Sequence, residues 1–163
     1  MTAEQSDRVM AYYCRSAADY DKEYDVPFFK EIYDQLTWRC IEPFLPRTGI
    51  VLDAGGGTGK WSVPIAKKGL NVVLFDISQD MLNIASTKVR ESGLKDLVSF
   101  RQGDICNVPF GDNSFDFVLA EGDPISYCSN PDLAVRELGR VLRSNCYLSA
   151  GVDGYYSILE RML

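Results

Sequence analysis

Residues 51–60 read VLDAGGGTGK, where a short apolar run ends in an acidic residue and continues into a glycine-rich turn. The run Ile50-Val51-Leu52 predicts a buried strand, and residues 60–68 beyond the turn predict a helix. Glycines let a ligand approach the backbone, because they lack a Cβ and adopt positive φ at little cost. In an open α/β sheet, ligands bind outside the carboxyl ends of the strands. The stretch therefore predicts the first strand–turn–helix unit of an α/β domain, with a ligand at the turn.

The same alternation of buried strands and helices continues along the chain. Further strands are predicted at residues 70–75, 97–100, 115–120 and 147–152, and helices at residues 78–92 and 130–143. Ser78 is the predicted N-cap of the first of these helices, and Gly93 is its predicted stop. Strands that are apolar on both faces and alternate with helices predict a mostly parallel sheet covered on both sides. We therefore expect a doubly wound, Rossmann-like α/β fold.

The 163 residues predict a single domain with three consecutive parts. Residues 1–46 predict amphipathic helices with an aromatic stripe that includes Tyr24, Phe28 and Phe29, the second helix beginning at Pro27 and ending at residues 43–46. Residues 47–152 predict the α/β core. Residues 153–163 begin a C-terminal segment, with a helical stretch expected over 155–163.

Composition and charge argue against several classes of function. Nucleic-acid binding requires a basic surface, whereas this chain has a net charge of −6 and no long cluster of lysine and arginine. The sequence has no histidine and five widely spaced cysteines without a CxxC pair, so we expect no metal site and reduced thiols. No apolar run approaches the roughly 18 residues of a membrane span, and the first residues lack the pattern of a secretory signal. We expect a cytoplasmic protein that acts on a small molecule.

The spacing of the glycines distinguishes between two kinds of nucleotide site. A dinucleotide fingerprint requires G-x-G-x-x-G. Counted from Gly55, its third glycine position falls on Lys60; counted from Gly56, its second falls on Thr58. The sequence instead reads D-x-G-x-G-x-G from Asp53, and a carboxylate so near would repel a pyrophosphate yet suits a cationic amino-acid group. A purely structural glycine turn is the alternative.

This pattern resembles motif I of the class I S-adenosylmethionine-dependent methyltransferases of the small-molecule type. The resemblance extends over about residues 47–150, because GDI at 103–105, FDFVLA at 115–120 and LGRVL at 138–142 resemble later motifs of the family. It implies S-adenosylmethionine as the cofactor and a set of cofactor-binding residues. These are Asp53, Gly55, Gly57, Gly59, Asp76, Ile77, Met81, Asp104, Ile105 and Tyr20.

The resemblance assigns roles within that set. Asp76 would accept hydrogen bonds from the ribose hydroxyls, although NAD enzymes share this acid. Asp104 would accept from the adenine amine while Ile105 packs on the ring. Tyr20 lies in an A-x-x-Y-D stretch that resembles a lid helix, and it would close over the methionine end. Packing of an aromatic stripe on the sheet is the alternative for Tyr20.

The resemblance also implies in-line methyl transfer to a small-molecule acceptor. Glu121, Asp123 and Tyr127 follow the fourth strand, where the family contacts the methyl group and the acceptor, and they are the catalytic candidates. Loop acids without a catalytic role are the alternative. The chain departs from the family after the fifth strand, because the family sheet has seven. We expect an exposed strand edge, and either a fragment or a homodimer that covers this edge.

Two other functions stay open at this point. A NAD(P)-binding oxidoreductase would share the acid at the end of the second strand, but the glycine spacing and Asp53 disfavour it. A non-catalytic module that binds S-adenosylmethionine or a partner is the second, because the family's last two strands are not expected in this sequence.

Overall fold

The computed structural model describes residues 3–23, 25–27 and 32–152, without the side chains of residues 3 and 23. Within these ranges the helices are α1 (Ala3–Glu23), α2 (Asp34–Ile41), α3 (Ser62–Ala66), α4 (Gln79–Glu91), α5 (Pro124–Tyr127) and α6 (Pro131–Val141), with a 3-10 turn at Glu42–Phe44. The strands are β1 (Ile50–Ala54), β2 (Asn71–Asp76), β3 (Val98–Gln102), β4 (Phe115–Ala120) and β5 (Leu142–Ala150). The expected segment 153–163 with its helical stretch, and the stripe residues Tyr24, Phe28 and Phe29, lie outside the described residues.

The described strands form one parallel sheet in the order β3-β2-β1-β4-β5. Asp53 of β1 lies opposite Leu74 of β2 on one side and Leu119 of β4 on the other. The chain builds outward from β1 first to one side and then to the other, so the strand order reverses beside the carboxyl end of β1. Sheets of this type bind ligands at that point. The expected doubly wound parallel fold is confirmed, and the glycine turn follows the central strand.

Two apolar clusters, one on each face of the sheet, hold the helices in place. One cluster includes Val51, Leu74, Phe117, Ile65 of α3 and Val89 of α4. The other includes Leu52, Phe75, Val118, and Ala134 and Leu138 of α6. Adjacent residues of a strand point to opposite faces. A strand buried on both faces is therefore apolar at successive positions. Residues 117–120 of β4 follow this pattern after the half-buried Asp116, and the predicted and observed bounds of β4 coincide.

Local signals also placed the start of α4 correctly. The Ser78 hydroxyl oxygen accepts a hydrogen bond from the Met81 N–H at 3.3 Å, which satisfies one of the unpaired donors of the first turn. The helix ends at Glu91, and Gly93 follows with φ +71°. Among the helices of the described residues, none is long and apolar enough to cross a lipid bilayer.

The last strand differs from the prediction. A turn was expected at residues 143–146 between a helix and a strand at 147–152, but β5 already begins at Leu142 and ends at Ala150. Leu142 pairs with Phe115, and Tyr147 pairs with Phe117. Between these two pairs the chain advances five residues along β5 but only two along β4. Asn145 has φ +64° in the middle of this irregularity. The expected left-handed residue is present, but it forms a bulge within an edge strand.

Candidate functional site

The glycine turn closes tightly onto the end of β2 and opens at Gly57. The Gly55 N–H donates to the Phe75 carbonyl at 2.7 Å, and a Cβ on Gly55 would stand 2.5 Å from the side chain of Pro124. A Cβ on Gly57 would meet no atom of the described residues within 4 Å, and its φ is +52°. Gly55 therefore allows close packing, whereas Gly57 exposes backbone that a ligand can approach.

Asp53, the last but one residue of β1, is buried beneath this turn with an exposed fraction of 1%. Its Oδ2 accepts a hydrogen bond from the Ser62 hydroxyl at 2.6 Å, while its Oδ1 has no partner among the described residues. Burial raises the pKa of Asp53 to about 7, and the charges of Asp76 and Glu121 act in the same direction. A buried carboxylate with a free oxygen is costly unless a cation or a donor reaches it.

Asp76 ends β2 and connects two segments of the site. Its Oδ2 accepts from the Gly57 N–H at 2.8 Å, and its Oδ1 accepts from the Ser78 N–H at 2.8 Å. Each carboxylate oxygen keeps a second acceptor position. Burial raises the pKa of Asp76, and the bonds from Ser78 and Gly57 oppose this change. The carboxylate thus fixes the turn while it can still accept from a ligand.

The other predicted cofactor residues lie around the same edge of the sheet. Asp104 accepts from the Cys106 N–H at 2.8 Å and from the Ser6 hydroxyl at 2.7 Å. Ile105 is 6% exposed and belongs to the apolar cluster with α6. Met81 is buried in the first turn of α4, and the Ile77 carbonyl accepts from the Gln102 side chain at 3.0 Å. The contacts of these residues with a cofactor stay predictions.

Helix α1 crosses the carboxyl ends of four strands. Gln5 donates to the carbonyls of Tyr127 and Cys128 beyond β4, and Ser6 donates to Asp104 beyond β3. Farther along the helix, Cys14 lies 3.3 Å from the Ser78 hydroxyl beyond β2, and Asp21 accepts from the Thr58 hydroxyl beyond β1 at 2.7 Å. Tyr20 packs edge-on against Tyr13 with 6.1 Å between ring centroids. The position of α1 is that of a cover over the predicted site.

The catalytic candidates surround the start of α5. Glu121 accepts from the Ser149 hydroxyl at 2.9 Å, and burial raises the pKa of the Glu121 carboxyl. Asp123 precedes α5 with φ +64°, and Tyr127 ends that helix with 37% of its surface exposed. The backbone strain at Asp123 is of a kind that concentrates at functional sites.

Sequence reasoning missed one residue of this group, Tyr33. Burial raises the pKa of the Tyr33 phenol, and the charges of Glu121 and Asp123 raise it further, so all three lie near one another. Tyr33 directly precedes α2 and lies within residues 1–46, whose aromatic stripe predicted only packing of amphipathic helices. No local signal relates it to residues almost ninety positions later.

Comparison with known proteins identifies relatives for most of the chain. Residues 51–145 match a family model described as a methyltransferase domain. The ubiquinone/menaquinone biosynthesis C-methyltransferase UbiE of Shewanella sp. (strain ANA-3) is 36% identical over 146 residues. That alignment covers 86% of this chain and 57% of the relative, so the chain spans little more than half the length of this relative.

Solved structures with the same fold have names that refer to different reactions. An S-adenosylmethionine-dependent methyltransferase from Thermotoga maritima has a TM-score of 0.69 and 28% identity, over 92% of this chain and 64% of that one. The [4+2]-cyclase SpnF has a TM-score of 0.69 and 32% identity, over 74% of this chain and 44% of that one. Both structures thus share the fold of this chain over the aligned residues.

Proposed function

The chain belongs to the S-adenosylmethionine-dependent methyltransferase family, and we propose that it transfers a methyl group from this cofactor to a small-molecule acceptor. The observation that supports this most directly is the grouping of Asp53, Gly57 and Asp76 at the end of the central strand. One residue offers a buried free carboxylate oxygen, one offers open backbone, and one offers a carboxylate with spare acceptor positions.

These residues fit the chemistry of the cofactor. The unpartnered Oδ1 of Asp53 suits the cationic amino group, and Asp76 suits the ribose hydroxyls. Gly57 leaves space that a Cβ would otherwise fill. When bound, S-adenosylmethionine supplies an electrophilic methyl group on a sulfonium. We infer that Asp104, Ile105, Ile77, Met81 and Tyr20 complete the binding set.

The protein's own contribution is orientation and exclusion of water. In-line displacement gains most from holding the two reactants in alignment. Helix α1 covers the edge where Asp76 and Asp104 lie, and it would keep water from the reacting atoms. The acceptor would approach from the opposite side, past Glu121, Asp123 and Tyr127.

Glu121 is the proposed general base for an acceptor that must lose a proton. Burial raises the pKa of its carboxyl toward neutrality, which makes it a stronger base than an exposed glutamate. The bond from Ser149 fixes its orientation. Asp123 and Tyr127 would position the acceptor, together with the phenol of Tyr33.

A small molecule fits this site better than a nucleic acid. The net charge is −6, and Glu121 and Asp123 add acid at the acceptor side. UbiE is named for methylation in ubiquinone and menaquinone biosynthesis, which supports a small organic acceptor.

We propose that the protein acts in the cytoplasm. All five cysteines are free thiols, and reduced thiols are typical of cytoplasmic proteins.

We also propose a homodimer that covers the outer edge of β5. Within the described ranges β5 pairs only with β4, and Tyr147 and Leu148 are 56% and 37% exposed. An unpaired strand edge favours association with another strand. Light scattering after size-exclusion chromatography should give twice the mass of the chain; a stable monomer at micromolar concentration would contradict the dimer.

Methyl transfer itself is tested with radiolabelled S-adenosylmethionine and extracts of small molecules. We expect label in a low-molecular-weight product, and S-adenosylhomocysteine binding by calorimetry without binding of NAD. Glu121→Gln should reduce transfer at least tenfold with unchanged S-adenosylhomocysteine affinity, while the exposed control Glu91→Gln changes neither. NAD binding in place of S-adenosylhomocysteine binding would overturn the proposal.

A second candidate function follows from the similarity to SpnF. That protein is named a [4+2]-cyclase, so this fold is compatible with a reaction other than methyl transfer. A chain that binds S-adenosylhomocysteine tightly but never transfers label would favour such a reaction, or a binding module without catalysis.

A further inference from the structure

We propose that Asp21 is a latch that ties the end of α1 to the glycine turn and thereby slows release of the cofactor. This inference rests on the proposed function, because it concerns access to the same site. The side chain of Asp21 contacts Thr58 and Lys88, and neither belongs to the predicted cofactor-binding set, so Asp21 is a positioning residue. It would act through Thr58, the residue between Gly57 and Gly59 in the turn.

The geometry provides two contacts from one carboxylate. Asp21 Oδ1 accepts from the Thr58 hydroxyl at 2.7 Å, and Asp21 Oδ2 lies 2.6 Å from the Lys88 ammonium of α4. Thr58 is only 2% exposed, so its hydroxyl depends on this acceptor. One side chain therefore joins α1 to both the turn and the neighbouring helix.

The position of Asp21 near the carboxyl end of α1 indicates that its role is to make these two contacts. A negative charge in the last turn of a helix is unfavourable, because the carboxyl end of the helix is itself partly negative. Asp21 lies two residues before Glu23, the last residue of α1. It is compensated from outside the helix by Lys88 and Thr58, in contrast to Asp19, which pairs with Lys22 of the same helix at 2.8 Å.

The contact reaches the part of the turn that a ligand would approach. Thr58 follows Gly57, whose N–H donates to Asp76 at 2.8 Å, and precedes Gly59. When Asp21 accepts from Thr58, the backbone on both sides of Thr58 is held against β2 and α4. Closure of the helix and the shape of the turn are thus coupled through a single hydrogen bond.

Four variants separate the two contacts from general stability. Asp21→Ala removes both, Thr58→Val removes the hydrogen bond with the side-chain shape kept, and Lys88→Met removes the ion pair. Asp19→Ala is the matched control, since its ion pair is exposed and lies within α1. The measurements are the dissociation rate of S-adenosylhomocysteine and amide hydrogen exchange of residues 14–22 in protein without added ligand.

We expect Thr58→Val to raise the dissociation rate by about tenfold, the effect of losing a hydrogen bond to a charged group. Asp21→Ala loses the ion pair as well and should raise the rate by about twenty- to thirtyfold. The double variant Asp21→Ala/Thr58→Val should match Asp21→Ala, because both changes break the same hydrogen bond. Lys88→Met should show about two- to threefold, since exposed ion pairs are weak. Exchange in residues 14–22 should rise in the same order, and Asp19→Ala should match the wild type.

The outcomes distinguish the latch from the proposed function. If the wild type binds S-adenosylhomocysteine and Asp21→Ala leaves both its dissociation and the exchange of α1 unchanged, the latch is wrong and the function stands. If the variants only lower the melting temperature and speed exchange throughout the sheet, Asp21 is merely structural and the latch is also wrong. If the wild type binds no S-adenosylhomocysteine, the proposed function fails. In that case, unchanged hydrogen exchange of α1 in the variants would show that the latch is wrong as well.

Discussion

Replacing Asp53 with asparagine should stabilise the ligand-free protein at high pH and destabilise it at low pH. The pKa of Asp53 is about 7 in the folded chain, against 3.8 for an aspartate exposed to water. A difference of one unit corresponds to about 1.4 kcal/mol, so keeping this carboxylate ionised costs the fold about 4 kcal/mol. Asparagine carries no charge and avoids that cost. Its amide N–H₂, however, takes the place of the unpartnered Oδ1, and a buried donor without an acceptor lowers the free energy of unfolding by about 1–3 kcal/mol.

The sign of the pH dependence follows from proton uptake. The folded chain keeps a proton on Asp53 up to about pH 7, whereas the unfolded chain releases it near pH 4. The folded state therefore binds more protons in this window, and the stability due to Asp53 falls as the pH rises through it. Between pH 5 and pH 8 the wild type should lose about 3 kcal/mol relative to Asp53→Asn, and the change should level off above about pH 7.

Urea unfolding of both proteins at pH 4, 5, 6, 7 and 8 measures this difference directly. The two stability curves should cross, with Asp53→Asn lower at pH 4 and higher at pH 8. Asp96→Asn, at an exposed position, is the control and should follow the wild type at every pH. Parallel curves for Asp53→Asn and the wild type would refute the reasoning. The same variant should weaken S-adenosylhomocysteine binding at pH 8, since the charge that suits its ammonium is gone.

Four further substitutions test local features of the fold. Gly57→Ala and Gly69→Ala, both at positive φ with no described atom within 4 Å of the new Cβ, should each cost about 1–2 kcal/mol in urea unfolding. Only Gly57→Ala should weaken S-adenosylhomocysteine binding, by more than tenfold; equal affinities would remove Gly57 from the site. Ser78→Ala should lower the free energy of unfolding by about 1 kcal/mol through loss of the bond from Met81, and an unchanged melting temperature would contradict the cap. Asn145→Ala should cost about 1 kcal/mol, and no loss would show that the bulge in β5 tolerates another conformation.

The sequence predicts the fold well where burial is two-sided. Five of the six residues of β4 are apolar and buried because both faces are covered, with Asp116 as the one polar residue, and the strand bounds follow directly. The edge strand β5 gave no such pattern, because Arg143, Ser144 and Asn145 are exposed. A residue that tolerates positive φ predicts a turn and a bulge equally well, so local chemistry alone could not choose between them.

The candidate site likewise contains residues that the sequence predicts and contacts that it does not. Asp53, Asp76 and the glycines are visible in the sequence, because each follows a strand at a fixed spacing. The bond from Ser6 to Asp104 and the effect of the Glu121 charge on the Tyr33 phenol connect residues far apart in the chain. Such contacts depend on how the helices pack across the sheet, and no local sequence pattern predicts this packing.

The underside of α1 has a thermodynamic consequence. Its hydrogen bonds to the sheet edge involve amide, hydroxyl, thiol and carboxylate groups, while Ala17 is buried and Val9, Met10, Tyr13 and Tyr20 are half-buried. Heat-capacity changes scale with the apolar surface that is removed from water. Swinging α1 away would hydrate part of these apolar side chains, so its closure on a ligand should make the heat-capacity change of binding more negative. The enthalpy of this movement should also depend on ionic strength, through the charges of Asp21 and Lys88.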